Sequence, residues 1–261
     1  MKTIFFDIDG TLVTDDEKME ISESTRTAIA ELRKNGHLTF INTGRPVFII
    51  SDTIRKLGFD GYVCGCGTYV EYGGEVVFSN EVDKGLCLKI AEICRECRVA
   101  PVYEYRNRYY FDSLTENTKG IESFKNIFSE GVRNSGRVGD DDFIFDKFVA
   151  FSDENSDMEL FYREIGKNFE IIDRGRGFYE MVPLGCTKGT GIDMILKRLG
   201  TRYEDAYAVG DSMNDLPMLL AVPNSIAMGG AENIYPYVSY VTTSVSEDGI
   251  YNAMKHFNLI K

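Results

Sequence analysis

Two carboxylates close to the amino terminus are the residues of this chain best suited to chemistry. Asp7 and Asp9 directly follow the apolar stretch 2–6, which predicts a buried strand, and Gly10 and Thr11 then predict a tight turn. Because a strand sends residues i and i+2 to one face, the two carboxylates are expected to converge. Two such charges about 4 Å apart repel by roughly 4 kcal/mol at an effective dielectric constant near 20. A bound cation, or a proton on one carboxylate, would relieve that repulsion.

A second short run of residues is suited to holding an anion. Thr43-Gly44-Arg45 lies between the predicted strand 38–42 and a predicted helix that has Pro46 near its first turn. Thr43 offers a hydroxyl group, Gly44 lets backbone N–H groups approach a ligand, and the helix amino terminus favours negative charge. Arg45 is a candidate for contact with a substrate or with the module predicted to be inserted at 83–182. An ordinary capped turn between a strand and a helix explains the same residues equally well.

Two further sites lie near the carboxyl end of the chain. Lys188 is predicted to begin a helix, where a cation is unfavourable unless an anion such as phosphate binds beside it. Asp211, Asn214 and Asp215 follow the predicted strand 205–209, at the sheet edge where open parallel sheets bind ligands. A solvated acidic loop is the alternative for this last run when it is taken alone.

The scaffold predicted around these sites is a Rossmann-like α/β core. Strand and helix patterns alternate at both ends of the chain, which predicts a doubly wound parallel sheet with helices on both faces. The predicted strands are 2–6, 38–42, 62–64, 205–209, 225–228 and 238–241, with a hairpin around Gly73-Gly74. The predicted helices are 23–35, one between Pro46 and Gly58, 188–199, 213–221, a short one near 231–235, and 246–257.

The middle of the chain interrupts this alternation. Residues 83–182 mix helical and strand patterns, which predicts an inserted α+β cap, with 1–82 and 183–261 forming the core. Four tyrosines of this module are candidates for stacking on a sugar or a base, although packing inside a core is the favoured interpretation. They are Tyr103, Tyr105, Tyr109 and Tyr110.

The composition excludes several classes of protein. The chain has 261 residues and a net charge of −12 without a Lys/Arg-rich run, which argues against a nucleic-acid surface. No apolar stretch approaches the roughly 20 residues of a membrane span, and Asp7 and Asp9 interrupt the first apolar run as no signal peptide would. We therefore expect a cytoplasmic protein, with no membrane partner, whose six cysteines stay reduced.

Taken in order, the four sites resemble the motifs of the haloacid dehalogenase superfamily of phosphohydrolases. Those motifs are Asp7-Ile8-Asp9-Gly10-Thr11, Thr43-Gly44-Arg45, Lys188, and Gly210-Asp211-Ser212-Met213-Asn214-Asp215. The insertion between the second and third motifs resembles the α+β cap of the Cof-type branch, subclass IIB, which includes many sugar-phosphate phosphatases. One departure is Gly65-Cys66-Gly67-Thr68, where related chains often carry an Asn-Gly pair.

The resemblance implies a role for each carboxylate. Asp7 would be the nucleophile that forms an aspartyl-phosphate, and Asp9 would protonate the leaving alcohol and then activate water. The family's Mg²⁺ would bind the carboxylates of Asp7 and Asp211 and the backbone carbonyl of Asp9, while Asp215 would orient the metal shell. Oxygen ligands of this kind suit that ion.

The remaining motif residues are implied to bind the substrate. Thr43, the Gly44 amide and Lys188 would neutralise charge on the transferred phosphoryl group. Thr11, Arg45 and Asn214 are the other candidates for contact with the substrate.

The implied function is Mg²⁺-dependent hydrolysis of small phosphorylated metabolites, with sugar phosphates as the first class. The alternatives are a phosphomutase or phosphotransferase of the same superfamily and a phosphatase of nucleotide or cofactor phosphates. A P-type ATPase is excluded because such pumps need membrane spans and carry Thr at the position of Asp9. A binding protein without activity would lack one of the two carboxylates. We expect a monomer or a weak homodimer.

Overall fold

The computed structural model describes residues 1–14 and 19–261 of the chain. These residues form two compact units. The first contains Met1–Gly44, Ser51–Phe78 and Thr187–Lys261, and the second contains Arg45–Ile50 and Ser79–Cys186. The second unit therefore includes a short segment, 45–50, that lies far from the rest of it in sequence and that the predicted cap, 83–182, does not contain.

The first unit is built on a mostly parallel sheet, as predicted. Over the described residues it has eight strands in the spatial order β14-β13-β12-β1-β2-β3-β4-β5, and β4 runs antiparallel to β3. The strands are β1 (Thr3–Phe6), β2 (Leu38–Asn42), β3 (Gly61–Cys64), β4 (Tyr69–Tyr72), β5 (Glu75–Ser79), β12 (Ala206–Gly210), β13 (Asn224–Ala227) and β14 (Tyr240–Val241).

Two helices of the first unit show the terminal signals that their sequences carry. Ser22 caps α1 by accepting a hydrogen bond from the Thr25 amide, and Gly200 ends α7 in the left-handed conformation. The helices are α1 (Glu23–Lys34), α2 (Asp52–Arg55), α7 (Lys188–Leu199), α8 (Leu216–Leu220) and α9 (Gly249–His256).

Several predicted helices of the first unit are wrong in extent. The stretch between Pro46 and Gly58 holds a 3₁₀ turn, Val47–Ile49, and then the single helical turn α2. Ile50 is extended between them. Ser51 then caps α2, because its side chain accepts a hydrogen bond from the Ile54 amide. Similar shortening affects 213–221, which is a 3₁₀ turn, Met213–Asp215, followed by α8.

The winding of the first sheet decides where its functional residues gather. β1 pairs in parallel with β2 on one side and with β12 on the other, and the chain winds away from β1 in both directions. Ligands bind at such a switch point, outside the carboxyl ends of the strands. Beneath it, α7 and α8 pack on a core that includes Phe5, Phe40 and Val63.

The second unit is an antiparallel sheet with helices on both faces. Its order over the described chain is β10-β11-β9-β6-β7-β8, and only β7 and β8 pair in parallel there. The strands are β6 (Ala100–Glu104), β7 (Tyr109–Phe111), β8 (Gly136–Arg137), β9 (Lys147–Phe151), β10 (Phe169–Asp173) and β11 (Phe178–Pro183). The helices are α3 (Lys84–Glu96), α4 (Lys119–Ile127), α5 (Ser129–Val132) and α6 (Met158–Ile165).

The tyrosines of the second unit pack in its cores, as the favoured interpretation had it. Tyr103 and Tyr110 are buried with α3 and α6 on one face of the sheet, and Tyr105 packs at the edge of that cluster. Tyr109 is buried on the opposite face, where its ring meets that of Phe48 edge-on with the centroids 4.9 Å apart. This contact explains why 45–50 belongs to the second unit.

A group of charged side chains is buried in the second unit's sheet. The Lys147 ammonium pairs with Glu180 Oε1 at 2.6 Å and with Glu104 Oε2 at 2.9 Å, and Arg174 pairs with Glu180. Burial alone would raise the pKa of Glu180, but Lys147 and Arg174 outweigh it and lower that pKa to about 2. The ionisation of each side chain in this group therefore depends on the charges of the others.

The six cysteines are buried and unbridged, as expected. Burial raises the pKa of Cys87 and of Cys97 to about 11, which keeps these thiols protonated and unreactive at neutral pH. The described helices are all too short or too polar to traverse a lipid bilayer.

Candidate active site

Five of the predicted site residues meet at the carboxyl ends of the central strands of the first unit. Asp7 follows β1, Thr43 follows β2, and Asp211 and Asp215 follow β12, while Lys188 begins α7. The strand order puts β1 between β2 and β12, so these loops share one edge of the sheet. Their convergence is the arrangement that the sequence predicted.

Asp7 is the buried member of the first pair of carboxylates. β1 ends at Phe6, and the Asp7 amide adds one more bond by donating to the Val209 carbonyl at 3.0 Å. Asp7 is 5% exposed, whereas Asp9 is exposed. The chain bends and turns at residues 8–10, directly after β1, and the Asp9 charge still acts on Asp7 by raising its pKa. Their different exposure suits different roles.

Lys188 lies between two carboxylates. Its ammonium group donates to Asp7 Oδ1 at 2.7 Å and to Asp215 Oδ1 at 2.6 Å, and the residue is 1% exposed. Burial would lower the pKa of Lys188, but Asp215 and Asp7 outweigh it and raise that pKa, so the lysine stays charged. These two carboxylates compensate for the unfavourable position of a cation at a helix amino terminus. The sequence alone had suggested that a bound phosphate would do so.

The environment of Asp7 opposes its ionisation. Burial raises the pKa of Asp7 first, the nearby Asp215 carboxylate raises it further, and Lys188 lowers it. A second positive charge beside Asp7 would favour the carboxylate that a nucleophile needs.

Asp215 holds the loop that carries Asp211. Its Oδ2 accepts hydrogen bonds from the Asp211 amide at 2.9 Å and from the Ser212 amide at 3.1 Å, while Oδ1 receives Lys188. With both oxygens engaged and no exposed surface, Asp215 is suited to orienting its neighbours rather than to direct contact with a ligand.

The carboxylates of Asp7, Asp211 and Asp215 form a candidate cation site. One oxygen from each lies within 4.8 Å of the others. The Thr11 hydroxyl donates to Asp211 Oδ1 at 3.3 Å, and Gly10 approaches so closely that a Cβ there would lie 2.3 Å from Asp211 Oδ2. Three acidic side chains lie beside the Lys188 ammonium, which favours a further positive charge here, and hard oxygen donors fit Mg²⁺. The residues present therefore fit the ion.

An open cavity of about 280 Å³ reaches this site within the first unit. Gly10 and Asp211 line it together with Gly229 and Ser244, which follow β13 and β14. The cavity gives solvent a path to Asp211.

The other predicted substrate contacts are distributed less simply. Thr43 is buried, its amide donates to the Val63 carbonyl at 2.9 Å, and its carbonyl accepts from the Cys66 amide at 3.1 Å. Asn214 is half-buried in the 3₁₀ turn Met213–Asp215. Arg45 belongs to the second unit, where its charge acts on the Tyr109 hydroxyl.

Asn42 is a residue of the site that the four motifs do not include. The residue was assigned only as the end of β2, yet it is completely buried and its side-chain amide donates to the Lys188 carbonyl at 2.9 Å. Its polar type at the end of an otherwise apolar strand, directly before Thr43, was the signal that could have identified it.

Comparison with known proteins identifies the family. A family model described as haloacid dehalogenase-like hydrolase matches residues 4–254, nearly the whole chain. The chain belongs to this family. The resemblance inferred from the four motifs is therefore confirmed.

Individual relatives extend along the whole chain. A putative phosphatase of Bacillus subtilis, YkrA, is 28% identical over 261 residues, covering 100% of this chain and 99% of its own length. The HMP-PP phosphatase of Escherichia coli is 24% identical and covers 87% of this chain and 83% of its own. Among solved structures, the subclass IIB sugar phosphatase BT4131 is 30% identical, with a TM-score of 0.84 and complete coverage of both chains.

These findings make the protein a phosphatase of subclass IIB of the family, with the predicted α/β fold.

Proposed function

We propose that this protein is a Mg²⁺-dependent phosphatase of small phosphorylated metabolites, with sugar phosphates as its substrate class. The observation that carries the proposal is the buried Asp7 carboxylate, which shares the Lys188 ammonium with Asp215 and lies beside Asp211. A buried carboxylate next to a fixed cation and a candidate metal site is suited to attack on phosphorus.

In the proposed reaction Asp7 attacks the phosphorus atom of the ester. The bond from phosphorus to the leaving oxygen breaks, and Asp9 gives that oxygen a proton, which releases the alcohol and leaves an aspartyl-phosphate. Water then attacks the same phosphorus, gives a proton to Asp9, and frees inorganic phosphate and Asp7. The exposed position of Asp9 suits this exchange of protons with substrate and water.

Electrostatic stabilisation is assigned to groups that are already held in place. Lys188 is fixed by two carboxylates, so its charge needs no rearrangement when negative charge builds up on the phosphoryl oxygens. Thr43 and the Gly44 amide would add hydrogen bonds on the side of β2. Mg²⁺, held by Asp7, Asp211 and the Asp9 carbonyl, would supply Lewis-acid stabilisation of the same oxygens.

The substrate class rests on two supports. BT4131, which is 30% identical, is described as a sugar phosphatase. In addition, the rings of Tyr103, Tyr109 and Tyr110 are buried in the cores of the second unit, so they are unavailable for stacking on a nucleobase. Phosphates of nucleotides and cofactors remain the competing class, since one relative is an HMP-PP phosphatase.

The negative charge of the chain supports a small metabolite, rather than a nucleic acid, as the partner. We propose that the protein acts on such a metabolite as a monomer or weak homodimer.

Phosphate release from a panel of esters tests the proposal. The panel contains phosphorylated sugars and sugar alcohols, nucleotides and cofactor phosphates, with p-nitrophenyl phosphate as a small reference substrate. We expect the highest kcat/KM among the sugar phosphates, and loss of turnover in EDTA that added Mg²⁺ restores. Full turnover in excess EDTA would refute the metal, and a higher kcat/KM on nucleotides would refute the substrate class. Phosphate transferred to a second sugar instead of water would indicate a phosphotransferase.

A further inference from the structure

The first turn of α7 carries Lys188 on a backbone that is a poor helix former. The helix begins Lys188-Gly189-Thr190-Gly191, and glycine loses more conformational freedom in a helix than other residues do. Thr187 and Thr190 cap the turn reciprocally through their side chains and amides. Capping satisfies amide groups, but it does not fix where the turn lies on the sheet.

Close packing restricts that turn on the side of β3. A Cβ at Gly67 would lie 2.2 Å from the Thr187 carbonyl oxygen, and a Cβ at Gly191 would lie 2.3 Å from Val63 Cγ1. The two glycines thus let the backbone of α7 approach β3 and the loop after it. Such contacts limit how near the turn can come, but they supply no directed bond.

Asn42 supplies a directed bond from β2. Its Nδ2 donates to the backbone carbonyl of Lys188 at 2.9 Å, and the side chain is completely buried. In the part of the chain that the structure describes, its Oδ1 has no hydrogen-bond partner. A buried amide oxygen without a partner is costly, so an apolar residue of similar size would suit this position better if stability alone mattered.

We propose that Asn42 is a positioning residue that fixes the backbone of Lys188 and thereby the place of its ammonium group beside Asp7. The proposal rests on the function proposed above. Asn42 precedes Thr43, so one strand end would hold both the hydroxyl and the lysine that face the phosphoryl group. Because a displacement of about 1 Å at a catalytic group can cost a hundred-fold in rate, a bond at the lysine's own peptide is well placed to act on catalysis.

The test uses Asn42→Leu, which keeps the volume and removes the donor. With p-nitrophenyl phosphate and saturating Mg²⁺, we expect kcat to fall about ten-fold or more while KM changes less than about two-fold, since the lysine acts mainly in the transition state. Should this variant fold poorly, Asn42→Ser, which is too short to reach the carbonyl, takes its place. Melting temperatures verify that each variant is folded.

The decisive comparison is made in a Lys188→Ala background. If Asn42 acts through Lys188, Asn42→Leu lowers kcat in the wild-type background and adds no further loss to Lys188→Ala. Equal losses in both backgrounds would show a general structural effect and would overturn the proposal, as would an unchanged kcat in the single variant.

Asn224→Leu is the matched control. Asn224 Nδ2 also donates to backbone carbonyls, those of Ala206 at 2.9 Å and Glu204 at 3.1 Å, but it lies at the opposite end of the strands. We expect it to lower the melting temperature and to leave kcat unchanged. A loss of kcat equal to that of Asn42→Leu would overturn the proposal. Wild-type enzyme without any turnover would instead refute the proposed function itself.

Discussion

Lys188 is the residue on which the charges of the site depend. It is the common partner of Asp7 and Asp215, both of which are buried. Without it, two carboxylates would face each other with no fixed cation between them. Its role in catalysis and its role in stability are therefore expected to be inseparable.

The first prediction compares two lysines of one helix. Lys188→Ala should lower kcat/KM by a hundred-fold or more, because charge-assisted contacts to a phosphoryl group are each worth about 1.5–3 kcal/mol and grow when water is excluded. It should also lower the free energy of unfolding by about 3–5 kcal/mol, since it leaves buried charges unpaired. Lys197→Ala, at the exposed last turn of α7, should change both quantities little. Steady-state kinetics and denaturant titration measure them, and similar effects of the two substitutions would contradict the assignment.

The second prediction separates the two carboxylates of the first motif. Asp7→Asn should abolish turnover, because an amide cannot form the acyl-phosphate. Asp9→Asn should leave product inhibition by inorganic phosphate intact but lower kcat by about 10²–10⁴-fold, which is the usual worth of a general acid–base. Rates and inhibition constants for both variants test this. A near-wild-type rate for Asp7→Asn would mean that another group is the nucleophile.

The third prediction concerns a carboxyl group in the second unit. Burial raises the pKa of Asp146 to about 7, Arg106 opposes this and Glu104 adds to it, and Asp146 Oδ1 lacks a hydrogen-bond partner among the described residues. A raised pKa means that the folded state favours the neutral acid, so this group's contribution to stability is lost as pH rises from about 4 toward 7. Asp146→Asn should therefore stabilise the protein by about 2–4 kcal/mol at pH 8 and by little below pH 4. Denaturant titrations across pH measure this, with exposed Asp141→Asn as the control; a pH-independent difference would refute it.

At the scale of elements, three strands of the second unit bring charges to one buried group. Glu104 ends β6, Lys147 begins β9 directly opposite it, and Glu180 lies in β11. Lys147 pairs with a carboxylate on each neighbouring strand, and Glu180 pairs in addition with Arg174, which follows β10. The sheet therefore depends on these pairings being made together.

The fourth prediction follows from that dependence. Lys147→Met should lower the free energy of unfolding at pH 7 by about 3–5 kcal/mol, because it removes the buried cation that pairs with both Glu104 and Glu180. The lowered pKa of Glu180 contributes stability above its unfolded value of about 4.5 and loses it as pH falls through about 2. Without Lys147 the carboxylates protonate more readily, so the difference from wild type should shrink below about pH 4. Stability measured at both pH values tests this, and Lys125→Met, on the surface of α4, is the control.

The helices and strands also show how much of the secondary structure can be predicted from sequence patterns. The hydrophobic alternation predicted α7 as Lys188–Leu199 and β2 as Leu38–Asn42, with the observed bounds. The single helix predicted between Pro46 and Gly58 is wrong, because Ser51 caps a separate helical turn there. Periodicity also records only that a side chain is buried, not which core receives it, so the place of Phe48 against Tyr109 could not be predicted.

Within the site, residue types indicated most of the side chains that the structure brings together. Asp7, Lys188, Asp211 and Asp215 were found because charges at strand and helix ends are costly without a purpose. Asn42 was missed because an uncharged amide at a strand end is a weaker signal than a charge. Its role also depends on a hydrogen bond to a carbonyl that lies 146 residues away in the sequence.

At the scale of the whole molecule, the net charge of −12 opposes the approach of an anionic substrate. The fifth prediction is that raising ionic strength from about 10 to about 150 mM increases kcat/KM for a dianionic phosphate ester by about two- to five-fold, because salt screens this repulsion. Mg²⁺ is kept saturating throughout. A phosphate ester that also carries a quaternary ammonium group should show a smaller rise. A fall in kcat/KM for the dianionic ester would mean that local positive charge dominates its approach.

The pairing of β1 with β12 has a consequence for how the protein is made. Thr3 pairs with Ala206, and the Lys188 ammonium reaches Asp7 across 181 residues of sequence. During synthesis the chain leaves the ribosome from its amino terminus. β1 can therefore pair with β12 only after most of this sequence has emerged. The inserted unit, whose contacts lie mostly within Ser79–Cys186, can fold during that interval. Asp7 is therefore synthesised long before Lys188 and Asp211, the residues that the folded structure places beside it.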